Sequence, residues 1–224
     1  MTFDSALSSL KQGEFVMIHD SDGRENEIDM VVAAELVTPE HIVRMRKHAG
    51  GLICLAIDNM LAEKLQLKYM HNMLSLSNQL DEESKKMIMG TAPYGDHPTF
   101  SISINHKQTY TGITDRDRAL TIKEMSTLYQ KENPKQFFNS TFKTPGHVPL
   151  LIASNGLLSS RTGHTEMSVY LSQLANLSPI TAICEMMDSE TYSALSVNKA
   201  EKYAKENAIP FIDGKELLEF SKVN

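Results

Sequence analysis

The sequence predicts a single α+β domain spanning residues 1–224, with a mixed β-sheet flanked by helices. Three observations point there. Apolar runs of strand length are mixed with helix-period stretches, without the strict alternation of a doubly wound sheet. No internal repeat, low-complexity tract or Pro/Gly/Ser-rich linker divides the chain. A chain of 224 residues, 41% hydrophobic and 22% charged, can bury one substantial core.

The elements follow in order. Phe3, Ala6, Leu7 and Leu10 recur at helical spacing over residues 3–11. Phe15-Val16-Met17-Ile18 and Met30-Val31-Val32-Ala33-Ala34 read as strands, with a charged loop between them. Thr38-Pro39-Glu40 opens a helix, threonine at the N-cap and proline at the first helical position, and Gly50-Gly51 stops it. Leu52 to Ile57 is a buried strand, and residues 59–68 are helical. Residues 71–98 are the least regular part and include an exposed loop from Thr91 to Pro98. Phe100, Ile102 and Ile104 alternate with Ser101, Ser103 and Asn105, as in a half-buried strand. Thr121-Ile122-Lys123-Glu124 is a capping box that starts a helix. Strands over Val148–Ala153 and Ile180–Met187, a helix over 163–176 and helices near 197–207 and 214–222 complete the chain.

The bulk chemistry excludes some functions. A net charge of −6 argues against a general nucleic-acid or membrane-surface binder, although a local arginine can still attract an anionic small molecule. Cys54 and Cys184 lie inside apolar runs and read as buried free thiols, which fits a reducing compartment. No leader-like segment and no membrane-length apolar run is evident, so the expected location is cytoplasmic.

The decapeptide Asp20-Ser21-Asp22-Gly23-Arg24-Glu25-Asn26-Glu27-Ile28-Asp29 places five carboxylates, an amide and a guanidinium in ten residues. Crowded carboxylates repel unless a cation or proton sits among them. The arrangement suggests a hard divalent cation bound by oxygen, with Arg24 available to an anionic substrate. A solvated hairpin tip is the bland alternative. A calcium loop fits poorly: aligning Gly23 with the turn glycine puts Ile18 at the first ligand position and Asp29 at the last, between strands rather than helices.

A second constellation is Arg161-Thr162-Gly163-His164-Thr165-Glu166, which opens an amphipathic helix. Free N–H groups at a helix start attract phosphate, glycine permits close approach, and Arg161 and Thr165 add donors. His164 beside a phosphate is a candidate metal ligand; the alternative is a solvent-exposed helix cap. His147, in Pro145-Gly146-His147-Val148-Pro149, and Glu185, at the end of an apolar run, are further candidates. A glutamate there must be paired, metal-bound or shifted in pKa. By spacing alone each is more often a surface or satisfied structural residue. His19, His41, His48, His71, His97 and His106 show no ligand spacing, and there is no zinc pair, Walker loop, dinucleotide fingerprint or nucleophile elbow.

In chain order, Asp22-Gly23-Arg24-Glu25-Asn26-Glu27-Ile28-Asp29, Thr91-Ala92-Pro93, Thr111-Gly112-Ile113-Thr114, Thr144-Pro145-Gly146-His147 and Arg161-Thr162-Gly163-His164-Thr165-Glu166 resemble the 3,4-dihydroxy-2-butanone 4-phosphate synthases of riboflavin biosynthesis. The resemblance runs from about residue 5 to the last helix. It implies a lyase that converts D-ribulose 5-phosphate to L-3,4-dihydroxy-2-butanone 4-phosphate and formate with Mg²⁺ or Mn²⁺. It also implies an α+β homodimer with active sites near the subunit interface, in the stand-alone form without a fused cyclohydrolase. Carried over by position, Glu25 and His164 match metal ligands and Asp29 a substrate-contacting acid/base. Arg24, Thr91, Arg161, Thr162, Gly163, His164 and Thr165 match substrate or phosphate contacts, as do Glu25 and Glu185. His147 and Glu185 match positions essential for catalysis. Ile28 stands where glycine is frequent, and Thr114-Asp115-Arg116-Asp117-Arg118 departs from the usual stretch, which leaves the role of residues 114–118 open. Two other classes remain: a cation- or phosphate-binding module without turnover, and a nucleotide- or RNA-handling protein of similar architecture.

Overall fold

Apolar strands that bury both faces need a layer of helices on each side. The computed structural model, which describes residues 3–88 and 90–223, has that arrangement. Its helices are α1 Phe3–Lys11, α2 Pro39–Arg44, α3 Asn59–Leu65, α4 Met70–Ser75, α5 Glu82–Lys85, α6 Asp115–Ser126, α7 Pro134–Thr141, α8 His164–Leu174, α9 Val197–Glu206 and α10 Gly214–Val223. The strands are β1 Val16–His19, β2 Ile28–Ala33, β3 Cys54–Ile57, β4 Phe100–His106, β5 Phe142–Ile152, β6 Ile180–Glu185, β7 Met187–Asp188, β8 Ser193–Ala194 and β9 Phe211–Asp213. Seven form one sheet in the order β4-β5-β3-β6-β2-β1-β9, and β7 pairs with β8. The sheet is mixed: β1 pairs parallel with β9 and β3 with β5, while the remaining neighbours are antiparallel.

Period-2 alternation divides the core. Met17, Met30, Val32, Leu55 and Ala182 point to a cluster completed by α2, α3, α6, α7 and α9. Val16, Ile18, Val31, Ala56 and Ile183 point the other way, onto Ala6 and Leu10 of α1, Met167, Val169 and Leu171 of α8, and Leu217 of α10. Small residues on this second face let α8 lie close to the sheet. Thr181 Oγ1 donates to Ser168 Oγ at 2.9 Å, satisfying two buried hydroxyls between helix and strand.

Local expectations hold unevenly. The predicted start at Thr38-Pro39 is present, with His41 Nδ1 accepting from Thr38 N at 3.0 Å, and the helix leaves through a π-turn at Met45–Ala49 into left-handed Gly50. Thr121-Glu124 does not start a helix. It lies inside α6, which begins six residues earlier at Asp115, after an N-cap in which Thr114 Oγ1 accepts from Asp117 N at 3.1 Å. Thr121 instead accepts from His106 N and donates to Asp117 O, so a tertiary contact uses the hydroxyl that a cap would need. The alternation in β4 is broken by two register shifts against β5, so Phe100 is 38% exposed and Ser101 is buried. Helix α7, strand β9 and the first half of β5 were not evident as elements, and α5 and all of α4 but its first residue fall within the segment read as irregular.

Candidate active site

β2 and β6 lie side by side at the centre of the sheet, with Asp29 directly opposite Glu185. The acidic loop crosses the end of β2, and α8 begins above it. The loop is wound around Asp20, which is fully buried. Asp20 Oδ1 accepts from Glu27 N at 3.1 Å, and Oδ2 accepts from Glu25 N at 2.9 Å and Arg24 Nη1 at 3.1 Å. One carboxylate thereby satisfies donors across the turn and aims Glu25 inward.

Glu25 meets α8 there. Its Oε2 lies 3.2 Å from His164 Nδ1, although 139 residues separate them, and its Oε1 accepts from Tyr94 OH at 2.6 Å. His164 Nε2 donates to Glu27 O at 3.1 Å, which fixes the ring and leaves Nδ1 facing the carboxylates. Asp29 Oδ1 is 3.7 Å from the same nitrogen and is buried without a hydrogen-bond partner. Burial pushes Asp29 up to about 8, reinforced by the negative charge of Glu185, Glu25 and Glu27 and opposed by His164. Burial disfavours the charged His164 as well, but Asp29, Glu25 and Asp20 outweigh it and raise the imidazole to about 9. Burial also opposes ionisation of Glu25, yet His164, Tyr94 and Arg24 together hold it well below the ordinary carboxylate range. Tyr94 is pushed up to about 12 by burial and by Glu25. Within a few ångströms, one acid is kept ionised and another kept protonated.

Two arginines close the other side. Arg24 is held by Glu25 at 2.8 Å, Asp20 at 3.1 Å and Asp96 at 3.0 Å, and its guanidinium lies 4.7 Å over the Tyr94 ring. Arg161 Nη1 donates to the fully buried Glu166 at 2.5 Å. Each arginine keeps one buried nitrogen without a hydrogen-bond partner, Arg24 Nη2 and Arg161 Nε. Both guanidinium groups converge on Gly163, where a Cβ would sit 2.2 Å from Arg161 Nη1 and 2.8 Å from Arg24 Nη2. Glycine is required there for room, not for conformation. Arg24 Nη2 is unspent and Arg161 Nε lies 3.5 Å from Asp96 Oδ2, too long for a hydrogen bond, so two guanidinium groups at the start of α8 form a cradle for an oxyanion.

A cavity of about 260 Å³ opens onto this cluster, lined by Glu25, Asp29, Tyr94, Arg161, His164 and Glu185 among others. A larger open hollow of about 780 Å³ at Lys64 and residues 131–140 has no histidine and only Glu132 as an acid. The donor set suits a hard cation. Asp20, Glu25 and His164 each place a ligand atom within 4.8 Å of the others. Asp20 is already occupied by two backbone N–H groups and Arg24, so His164 Nδ1 and Glu25 Oε2, which Arg24 also holds at 2.8 Å, are the atoms left to ligate. The unpartnered Asp29 oxygen, and the raised pKa of His164, mark a spot where positive charge is stabilised.

The structure gathers Arg24, Glu25, Asp29, Arg161, Gly163, His164, Thr165 and Glu185. Thr165 Oγ1 shares a 3.1 Å hydrogen bond with Thr99, and Glu185 Oε2 accepts from Leu52 N at 2.7 Å. Thr162 is half-buried beside Gly163. Thr91 is exposed and outside the residues lining the cavity. His147 is likewise exposed on β5 and does not line the cavity of its own chain. Tyr94, Asp96 and Thr99 escaped the sequence reading. Their only signal was membership of the Thr91–Pro98 loop and its flank, because no local pattern shows that a loop folds back over residues seventy positions earlier.

A family model described as 3,4-dihydroxy-2-butanone 4-phosphate synthase matches residues 4–220. The chain belongs to that family. It is 44% identical over 214 residues to the 3,4-dihydroxy-2-butanone 4-phosphate synthase of Methanothermobacter thermautotrophicus, covering 96% of this chain and 93% of that protein. It is 32% identical to the Saccharomyces cerevisiae synthase, covering 98% and 97%. A riboflavin biosynthesis protein of Bacillus cereus is 37% identical over 187 residues, 84% of this chain and 41% of that longer protein. A synthase solved in complex with two magnesium ions superposes with a TM-score of 0.82 at 26% identity, covering 100% of this chain and 98% of that one. Membership of the synthase family favours an enzyme over the non-catalytic and RNA-handling readings. Among the described residues, no helix is long and apolar enough to cross a membrane.

Proposed function

We propose that this protein converts D-ribulose 5-phosphate to L-3,4-dihydroxy-2-butanone 4-phosphate and formate, as a divalent-metal-dependent lyase of riboflavin biosynthesis. The observation that carries the reading is the oxyanion cradle of Arg24, Arg161 and Gly163 placed against an acid–histidine cluster. A phosphate held by the two guanidinium groups would tether the sugar chain over Asp29 and Glu185. Glu25 and His164 would hold Mg²⁺ or Mn²⁺, which would polarise neighbouring substrate oxygens and offset negative charge developing on them.

Losing one carbon from a pentulose phosphate requires enolisation, dehydration, a skeletal shift and hydrolysis, each with a proton transfer. Asp29, with its pKa raised to about 8, can donate a proton at neutral pH and take it back. Glu185, opposite it on β6 and anchored through one oxygen to Leu52 N, keeps its other oxygen for the same task. Arg24, Arg161, Thr162, Gly163 and Thr165 bind the substrate phosphate end, and Thr91 adds a contact from the exposed loop. Phosphate anchoring keeps reactive intermediates from diffusing away.

His147 completes the proposed catalytic set from a second copy in a homodimer. Its exposed place on β5, outside the cavity of its own chain, supports that arrangement. The buried free thiols Cys54 and Cys184 fit a cytoplasmic setting. The test is incubation with ribulose 5-phosphate and magnesium, with formate measured. Formate should appear, stop on EDTA treatment and return with Mg²⁺ or Mn²⁺. Full turnover in metal-free buffer by metal-free protein would remove the metal. Mixing folded, inactive Glu25→Gln and His147→Asn proteins should restore turnover, because a mixed dimer contains one intact site. Continued silence of an exchanged mixture would place both residues in one chain's site.

A further inference from the structure

Asn105 is 3% exposed in β4, and its side chain is committed on both ends. Oδ1 accepts from His147 N at 2.8 Å. A backbone N–H can only donate, so this contact fixes which end of the amide is oxygen. The opposite end is then the NH₂ group. It donates to Thr111 O at 3.4 Å and lies 3.0 Å from His147 Nδ1. An NH₂ group cannot accept, so Nδ1 must be the bare, accepting nitrogen. A neutral imidazole carries one proton, which is therefore on Nε2.

The surroundings are built for this contact. Gly112 has φ +95°, and a Cβ there would sit 2.0 Å from Asn105 Nδ2. A Cβ on Gly146 would sit 1.9 Å from the Ile104 carbonyl carbon, at the point where the β4–β5 register shifts between Ile104 and Asn105. Asp117 Oδ2 accepts from Gly112 N at 2.9 Å and so holds the Thr111-Gly112 turn against the amide. This gives the Thr111-Gly112-Ile113-Thr114 motif and Asp117 a role that the cavity residues do not explain.

We propose that Asn105 is a positioning residue that locks His147 in the Nε2–H tautomer, so that His147 meets the substrate as a hydrogen-bond donor and general acid, not as a base. The catalytic half rests on the proposed participation of His147 in turnover. A neutral Nε2–H can stabilise a developing enediolate oxygen, or give its proton to a departing hydroxyl that leaves as water, the ring passing through an imidazolate whose Nδ1 charge the Asn105 NH₂ stabilises before it takes a proton back from solvent.

The test separates the two halves. The full-length protein is labelled with ¹⁵N at histidine, and the His147 ring signals are assigned by their loss in His147→Asn. At neutral pH without substrate, the proton should be on Nε2; a proton on Nδ1, or averaging between the two, overturns the tautomer assignment whatever the activity. In Asn105→Asp one carboxylate oxygen can still accept from His147 N while the other now accepts from Nδ1–H. That variant should move the proton to Nδ1 and lower kcat by about 10²-fold, with KM changed far less. A folded Asn105→Asp protein with the proton on Nδ1 and parental kcat would overturn the donor role. A His147→Asn variant with parental kcat would remove His147 from turnover, while the ring-nitrogen spectrum of the parent still decides whether Asn105 sets its tautomer.

Discussion

Asp20 and Asp29 stand at the two ends of one loop, both buried, and they behave as opposites. Asp20 spends its oxygens on two backbone N–H groups and Arg24. Asp29 leaves Oδ1 with no partner and is pushed up to about 8 by burial and by neighbouring acids. Nine positions apart, the same side chain is once a satisfied scaffold and once an unsatisfied acid that burial keeps protonated. The difference lies in the donors that reach it: the turn supplies them to Asp20, whereas β2 presents Asp29 to a cavity shared with other carboxylates. Burial alone does not identify a reactive group; burial without satisfaction does.

The largest effect should come from the two proposed metal ligands beside the two aspartates. Glu25→Gln and His164→Ala should each reduce formate release to background and abolish Mn²⁺ binding by titration calorimetry, with the fold retained. Unchanged metal binding in both would return the ligand role to Asp20. Next in size, Asp29→Asn and Glu185→Gln should lower kcat by about 10²- to 10⁴-fold. Asparagine matches the protonated acid in shape, and the Glu185→Gln amide oxygen can still accept from Leu52 N, so both melting temperatures should stay near the parent's. A Glu185→Gln protein that is unstable yet normal per folded molecule would take Glu185 out of the chemistry and leave Asp29 as the acid/base.

Arg161→Ala should raise KM for ribulose 5-phosphate by about 10- to 100-fold, the value of a hydrogen bond to a charged group. It also strands the buried Glu166, so melting should be followed alongside kinetics. Equal loss on unphosphorylated ribulose would make Arg161 structural. The smallest effect falls on the scaffold end. Asp20→Asn turns one acceptor into a donor facing N–H groups and should cost about 1–3 kcal/mol, seen as a lower melting temperature. Turnover per folded molecule should change far less than in Asp29→Asn. If Asp20→Asn melts normally but loses metal, the contrast between the two aspartates collapses.

The sequence displayed the parts of this contrast unequally. The strands flanking the decapeptide and helices α1, α2, α3, α8, α9 and α10 were legible because apolar periodicity is a local property, whereas α7 and the true start of α6 were not. Glu25, His164 and Gly163 were legible as residue types in unusual company. Which of five carboxylates would be saturated was not, since Asp20 and Asp29 differ only in what the folded chain brings to them. The same limit hid Tyr94 and Asp96. Thr121 misled for the converse reason, because a correct capping pattern was overridden by the His106 N–H from β4. His147 was legible as a residue, but its partner Asn105 lies 42 positions away and reads in sequence as the polar half of a strand.

The Asp29–Glu185 pair is set by strand register, since the two residues face each other across β2 and β6. A slip of one residue would turn Asp29 toward the side occupied by Met30 and Val32, where a carboxylate finds no partner. Recovered enzyme activity therefore reads out register in a way that circular dichroism does not. In a refolding experiment, chains that regain helix and strand content but not turnover would be counted as mispaired, and the ratio of the two signals would measure how faithfully the centre of the sheet assembles.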